Sequence, residues 1–474
     1  MHYIDLGIFV GYMLIMLGVG YYFMHKNKNQ DDYYVGGRDI GSWHIGLSVV
    51  ATDVGGGFSV GLGGLGFVMG LSGSWMLFTG LLGAWLAAVF LIPRVKQDSA
   101  FANFYTFPQI FKYLFDRNVG IVAAVICLIG YLGFTSSQLL AGAKLASGTF
   151  EELGINQALW IMGAIAVIYT VLGGLKAVIY TDTVQWIILM LGFIFIGLPV
   201  AYIHVGGWEV IRGTLPEEFF SLTNLRWQDF ANWGITILPI WFIGMTLYQR
   251  IFASRDTASA KKAWFIAGLF EWPIMAFMGV SLGLLSRVAF EQDLLIFDLE
   301  TLDPEMGLPI LLRTILPSGL LGLMMAAYFS AVLSTADSCL MAASGNLSTD
   351  IFGKWLNKKS EKTQIRYSQL FTLLLGAIAL IVALQMTNVL ELMLYSYAFM
   401  VSGLLIPVLF GLFTKMHDPT AAMSAMLIGG STTGSLSLLD LALPLDLDPN
   451  FFGVFASLAT FLLVVNLRKR KFQN

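Results

Sequence analysis

Four carboxylates, Asp53, Asp182, Glu271 and Asp337, fall inside long apolar runs of this sequence. A carboxylate in hydrocarbon costs at least about 2.5–3.5 kcal/mol on insertion scales, so each needs a partner, a wet cavity or a helix end from which it reaches the interface. The chemistry open to such groups is the binding of a cation, a polar solute or a proton. Asp53 lies in ATDVGGGF, just before Gly55, Gly56 and Gly57. Three successive glycines weaken a helix by roughly 1 kcal/mol each relative to alanine and favour unwinding that turns carbonyls and amides toward a ligand. The alternative is a close-packing seam, a use that also suits Gly57, Gly61 and Gly64. Asp182 is open to the interfacial alternative. Glu271, in FEWP, is either a site residue or an interhelical hydrogen-bonding group beside a kink at Pro273.

A second constellation lies in SAVLSTADS. Helical spacing puts Ser334, Asp337 and Ser338 on one face with Thr335 beside them. Hydroxyl and carboxylate oxygens are hard ligands of the kind Na⁺ takes, and no imidazole or thiolate accompanies them. The alternative is hydroxyls bonded back to carbonyls of their own helix.

The elements that must position these groups follow from composition. Of 474 residues, 57% are apolar and 12% charged, with a mean hydropathy of +0.74. That balance excludes a soluble enzyme and predicts an all-α integral membrane protein. A net charge of −3 gives no sign of a nucleic-acid partner, and Cys127 and Cys339, both in apolar runs, indicate neither a disulfide framework nor a metal site. Cutting the chain at its polar punctuation predicts thirteen transmembrane helices: 4–24, 43–65, 70–93, 118–146, 157–173, 178–202, 232–252, 263–286, 319–344, 367–387, 389–413, 420–439 and 449–467. The first is expected to be a retained helix, since no basic segment or small-residue cleavage pattern accompanies it. With the N-terminus outside and the C-terminus inside, 22 of the 27 lysines and arginines, Arg250 among them, face the cytoplasm. The polar stretches 203–231, 287–308 and 94–117 are expected on the membrane surface, with no soluble domain appended.

Setting the first span aside, spans 2–6 and 7–11 form two groups of five with opposite orientation. The leading helix of each is interrupted, at Asp53 to Gly57 and at Pro239 and Gly244. Matched interruptions of this kind point to an inverted-repeat secondary transporter with its site at the midplane. The expected organisation of 1–474 is a single membrane domain: an extra helix 4–24, a first repeat 43–202, a second repeat 232–413 and two C-terminal helices within 420–467.

Three segments carry a family resemblance: DDYYVGGRDIGSWHIGLSVVATD, YTVLGGLKAVIYTDTVQ at 169–185, and SAVLSTADSCLMAASGNLSTDIF at 330–352. Together they resemble the sodium/solute symporter family over nearly the whole chain. The resemblance implies a LeuT-like core of two inverted five-helix repeats, with one helix in front and two behind. It implies a Na⁺ site made by the carbonyls of Ala51 and Val54 with Ala331, Ser334 and Thr335. Asp182 matches an aspartate that joins a second Na⁺ site or its exit path in some members, with hydroxyls equivalent to Ser338. Asp337 stands where many members have serine, and either strengthens that second site or pairs with a basic group. ATD, AGAKL and SYAFM resemble the proline branch; VGGRDIG, DVGGGF and SAVLSTADS look closer to the choline branch, although Asp53 replaces the tryptophan of that branch. The implied solute lining is Asp53, Gly55 and Gly56 with Phe134, Gln138, Trp241 and Tyr397.

The expectation is therefore a symporter of the plasma (inner) membrane, not an enzyme. Co-transported Na⁺ would drive import of a small polar solute, first an amino acid or related zwitterion of the proline or betaine type. The alternatives are choline, a carboxylate, pantothenate or a sugar as solute, H⁺ coupling through Asp53, Asp182 or Asp337, or a transporter-like sensor. The expected partners are the solute and the lipid bilayer, with no obligatory protein partner evident.

Overall fold

The computed structural model describes residues 3–26, 30–150, 152–295, 303–439 and 441–471. It is all-helical, and ten helical stretches among the described residues are long and apolar enough to cross a membrane. The long helices are α1 (Tyr3–Lys26), α2 (Ser42–Met69), α3 (75–97), α4 (Arg117–Thr149), α5 (Ile155–Leu172), α6 (Leu175–His204), α7 (Trp227–Ala253), α8 (Thr257–Glu291), α9 (Leu320–Ile351), α10 (Glu361–Ala383), α11 (Val389–Phe413), α12 (Pro419–Leu439) and α13 (Pro449–Lys471).

Three interruptions position the polar groups. At Gly55 the backbone of α2 leaves the helical region, with φ 44° and ψ −169°, a left-handed φ that only glycine adopts without strain. The same residue meets α9 so closely that an added Cβ would lie 2.0 Å from Thr335 Oγ1. In α7 the helix ends at Ile243 and restarts at Met245, with Gly244 extended between them and Pro239 one turn earlier. In α8 a widened turn, Phe270–Met275, contains Pro273, and Trp272 is non-helical at φ −139° and ψ 126°. Proline removes a ladder hydrogen bond and kinks the helix, and Glu271 is buried within this turn.

Between α5 and α6 the sequence reading expects a loop carrying Lys176. Instead Lys176 lies within helix, next to Leu175 at the start of α6. The chain folds back there: Tyr169 and Thr181 share a hydrogen bond of 3.0 Å between their hydroxyls, whereas twelve residues of straight helix would separate them by about 18 Å.

Helix α9 runs through the centre, and nearly every residue from Leu321 to Gly345 is buried. Its first turn is held by α1, where the Asp5 carboxylate accepts from the amides of Gly319 (2.6 Å) and Gly322 (2.8 Å), a negative group on a positive helix end. The polar connections carry short helices, Pro108–Leu114, Gly207–Thr214 and Gly307–Ile315. The last is not a surface element: Leu308, Ile310, Leu311 and Leu312 are buried, with Leu308 against Gly63 of α2 and Pro309 against Gly148 of α4.

Candidate functional site

The break in α2 faces α9, and the two helices bring a set of oxygens together. Ser334 Oγ donates to the carbonyls of Ala331 (3.0 Å) and Ala51 (3.3 Å), and Thr335 Oγ1 donates to the same two carbonyls at 3.3 and 3.1 Å. Back-bonding along α9 and bridging to α2 thus occur in the same hydroxyls. Val54, just before the break, is also buried. Two hydroxyls and unwound or helix-end carbonyls from two separate helices form a hard-oxygen cluster suited to a small monovalent cation.

One turn along α9, Asp182 and Ser338 are joined by a residue the sequence reading placed with the cytoplasmic loop cations. Arg250, near the end of α7, is fully buried. Its Nη2 pairs with Asp182 Oδ2 at 3.2 Å and donates to Ser338 Oγ (2.8 Å) and Thr52 Oγ1 (2.5 Å), its Nε donates to Ser48 Oγ (3.0 Å), and its Nη1 to the Thr246 carbonyl (3.2 Å). Ser48 Oγ also donates to Asp182 Oδ2 at 2.5 Å. The network ties α2, α6, α7 and α9 together, and each of the three guanidinium nitrogens finds an oxygen on one of them. Asp182 Oδ1 has no hydrogen-bond partner among the described residues. Asp337 points to the other side of α9, where it accepts from Thr170 Oγ1 at 2.5 Å. Asp182, Asp337 and Ser338 therefore occupy adjoining positions, but their contacts are to Arg250 and Thr170.

On the other face of the α2 break stand the residues expected to line the solute. Gly57 N donates to Gln138 Oε1 at 2.9 Å, Tyr397 OH donates to Asp53 Oδ1 at 3.5 Å, and the rings of Phe134 and Tyr397 meet edge to face at 4.7 Å. Gly56 packs on Val332 of α9. Asp53, Gly55, Gly56, Phe134, Gln138 and Tyr397 are thus gathered around one break. Trp241 lies toward α3 and α8 instead, against Gly83 and edge to face with Trp264 at 6.5 Å. Glu271 is buried on α8, near enough to Asp53 to feel its charge.

Sequence reasoning missed Arg250 because YQRIFASR sits at the polar end of a span, where a cation looks like a loop residue. It also missed Ser48, Thr52 and Thr170, ordinary hydroxyls with no pattern of their own. The signal available for Arg250 was the carboxylate count, since four buried acids ask for at least one buried base.

Between the break and the end of α2 lies a cavity of about 390 Å³. Gly61, Gly64, Leu65 and Val68 of α2 line it together with Leu390 and Leu394 of α11. Its floor is closed where Gly61 packs on Leu390 and Gly57 on Met393 and Gln138.

The chain is similar to several known transporters. The osmoregulated proline transporter OpuE of Bacillus subtilis (strain 168) is 27% identical over 443 residues, covering 90% of this chain and 87% of the relative. The sodium/proline symporter of Escherichia coli (strain K12) is 27% identical over 438 residues, covering 90% and 86%. The substrate-bound outward-open structure of a Na⁺-coupled sialic acid symporter superposes with a TM-score of 0.81 at 20% identity, covering 98% of both chains, which establishes a shared LeuT-like fold. The profile of the sodium:solute symporter family matches residues 33–429. With that match extending over most of its length, the chain belongs to the sodium:solute symporter family, whose members are transporters and not enzymes.

Proposed function

We propose that this Na⁺-coupled solute symporter of the plasma membrane imports an amino acid or a related small amine-bearing solute, bound at the α2 break beside Asp53, Gln138, Phe134 and Tyr397. The single observation that carries the reading is the break itself: beside Gly55, the Ala51 carbonyl of α2 accepts from the hydroxyls of Ser334 and Thr335, and the Asp53 carboxylate accepts from Tyr397. One segment is thereby shared by ion and solute, which is what coupling requires. The proline transporters among the relatives support an amino acid as the solute class.

In this account Na⁺ is held by the carbonyls of Ala51, Val54 and Ala331 with Ser334 and Thr335. It locks α2 to α9 and favours the arrangement competent to bind solute, and its loss on the far side releases the solute there. The buried Arg250 holds Asp182 and Ser338 next to this site, with Asp337 adjoining, so a second Na⁺ or an exit path would use Asp182 Oδ1 and the Asp337 carboxylate. Thirteen spans, N-terminus outside and C-terminus inside, in two inverted repeats 43–202 and 232–413, is the topology that fits both the lysine and arginine bias and the matched breaks in α2 and α7. The cavity above Leu390 and Met393 then opens outward. At about 100 mV one inward positive charge contributes about 2.3 kcal/mol and a tenfold Na⁺ gradient about 1.4, enough for roughly 500-fold accumulation of a neutral solute.

The test is uptake into proteoliposomes under an imposed Na⁺ gradient, with a panel of labelled amino acids and amines, repeated in K⁺ and at varied pH. Accumulation that requires inward Na⁺ supports the reading. Accumulation that follows a proton gradient and ignores Na⁺ would replace it.

A further inference from the structure

Asp53 and Glu271 are both buried among the spans, 4% and 0% exposed, and near enough to feel each other's charge. Three of their four carboxylate oxygens, Asp53 Oδ2 and Glu271 Oε1 and Oε2, have no hydrogen-bond partner among the described residues. The fourth is met only by Tyr397 OH at the long distance of 3.5 Å. Space has been left for this pair, since a Cβ at Gly80 of α3 would fall 2.1 Å from Glu271 Oε1. Two neighbouring carboxylates away from water repel each other unless they share a proton or a positive group comes between them.

No side chain supplies that group. Among the described residues the fully buried bases are Lys144 and Arg250. Arg250 is taken by Asp182, Ser48, Thr52 and Ser338, and Lys144 by Asp303 and Glu305. A second observation points the same way. The cavity beyond the break, whose floor lies above Gly57 and Gly61, is lined among the described residues by Asp303, Glu305, Glu391 and Asp448 and by no lysine or arginine. Lys144, bonded to two of these, offsets about one of the four charges. A cavity of this sign raises the local concentration of cations and repels anions.

We infer that the solute is a net-positive organic cation whose ammonium or guanidinium group carries N–H donors and seats between Asp53 and Glu271, reached through the acidic cavity. The inference rests on the symporter reading above and narrows its solute class. Carboxylate oxygens without partners call for donors, which a protonated primary or secondary amine or a guanidinium provides and a quaternary ammonium lacks. The faces of Phe134 and Tyr397 beside Asp53 add a surface a cation favours. A neutral zwitterion carries as much negative as positive charge and so leaves the charge of the two carboxylates uncompensated, with both buried bases already engaged.

The test is thermal stability of the purified full-length protein in NaCl and in KCl. The probes are agmatine, 1,4-diaminobutane, L-lysine, ethanolamine, choline, L-proline and glycine betaine, each on wild type and on Glu271→Gln. The expected result is a Na⁺-dependent upward shift with one or more of the first four, none with the last three, and at least a tenfold weaker apparent affinity in Glu271→Gln. Should that variant fail to fold, ethanolamine against choline on wild type decides, because the two differ only in N-methylation. A Na⁺-dependent shift confined to proline, betaine or choline overturns the inference and leaves Na⁺-coupled symport standing. So does a Na⁺ response with no shift from any N–H cation, or a solute response that tracks pH with no preference for cations, which would mean the pair shares a proton. Absence of any Na⁺ response in binding and in uptake would remove the symporter reading itself.

Discussion

Replacing Gly55 by alanine strikes the shared segment at one atom. The new Cβ would lie 2.0 Å from Thr335 Oγ1 and 2.8 Å from Thr335 Cβ, and the backbone φ of +44° disfavours any side chain. The backbone strain, about 1–3 kcal/mol, burdens the Na⁺-free and Na⁺-bound protein alike and lowers stability. The clash is different, because it drives the Thr335 hydroxyl away from the Ala51 carbonyl that it now approaches at 3.1 Å. Losing one oxygen from a bound cation is comparable to losing a hydrogen bond to a charged group, about 1.5–3 kcal/mol. On that basis Gly55→Ala should raise the Na⁺ concentration for half-maximal effect roughly 10- to 150-fold. The assay is Na⁺ titration of thermal stability and of solute uptake, with Gly283→Ala as the control. An added Cβ at Gly283 meets the Gly63 carbonyl at 2.0 Å, so the control should lose stability and keep its Na⁺ requirement. A wild-type Na⁺ titration in folded Gly55→Ala would refute the reasoning.

Three further outcomes are expected. Arg250→Met leaves the Asp182 carboxylate buried without its cation and should destabilise the protein by about 3–5 kcal/mol, with partial recovery in the Asp182→Asn/Arg250→Met double variant; a double variant no more stable than Arg250→Met would show that the unpaired carboxylate is not the cause of the loss. Asp182→Asn alone should raise the Na⁺ requirement in uptake, and an unchanged requirement would separate Asp182 from the ion path. At the mouth of the cavity, burial first and the charge of Asp229 second push the Asp448 carboxyl up to about 6. The folded chain holds this proton to higher pH than the unfolded chain, so the group's contribution falls as pH rises from about 4 through about 6. Asp448→Asn should flatten that part of the Tm-against-pH profile.

Most of the scaffold was legible because hydropathy reports where a helix is bathed in lipid. The spans 118–146, 232–252 and 389–413 lie within a few residues of Arg117–Thr149, Trp227–Ala253 and Val389–Phe413. The break at Asp53 to Gly57 was legible too, because consecutive glycines are a local signal, and the structure places it at Gly55. What hydropathy could not report is which buried polar groups meet across the bundle. Arg250 reads as a loop cation until α6 and α9 are folded against α7. Glu271 and Asp53 come together only because α8 kinks at Pro273 and Gly80 leaves room. Between α5 and α6 the sequence has no polar punctuation beyond Lys176, and the fold-back shows only in the hydrogen bond between Tyr169 and Thr181.

The central claim is that Na⁺ sits between the α2 break and α9. Equilibrium binding of radiolabelled Na⁺ to the purified protein tests it without knowledge of the solute, in wild type and in the Ser334→Ala/Thr335→Ala double variant. Saturable binding in wild type that is lost in a folded double variant is the result this account predicts. Saturable binding of equal affinity and amount in both would contradict it.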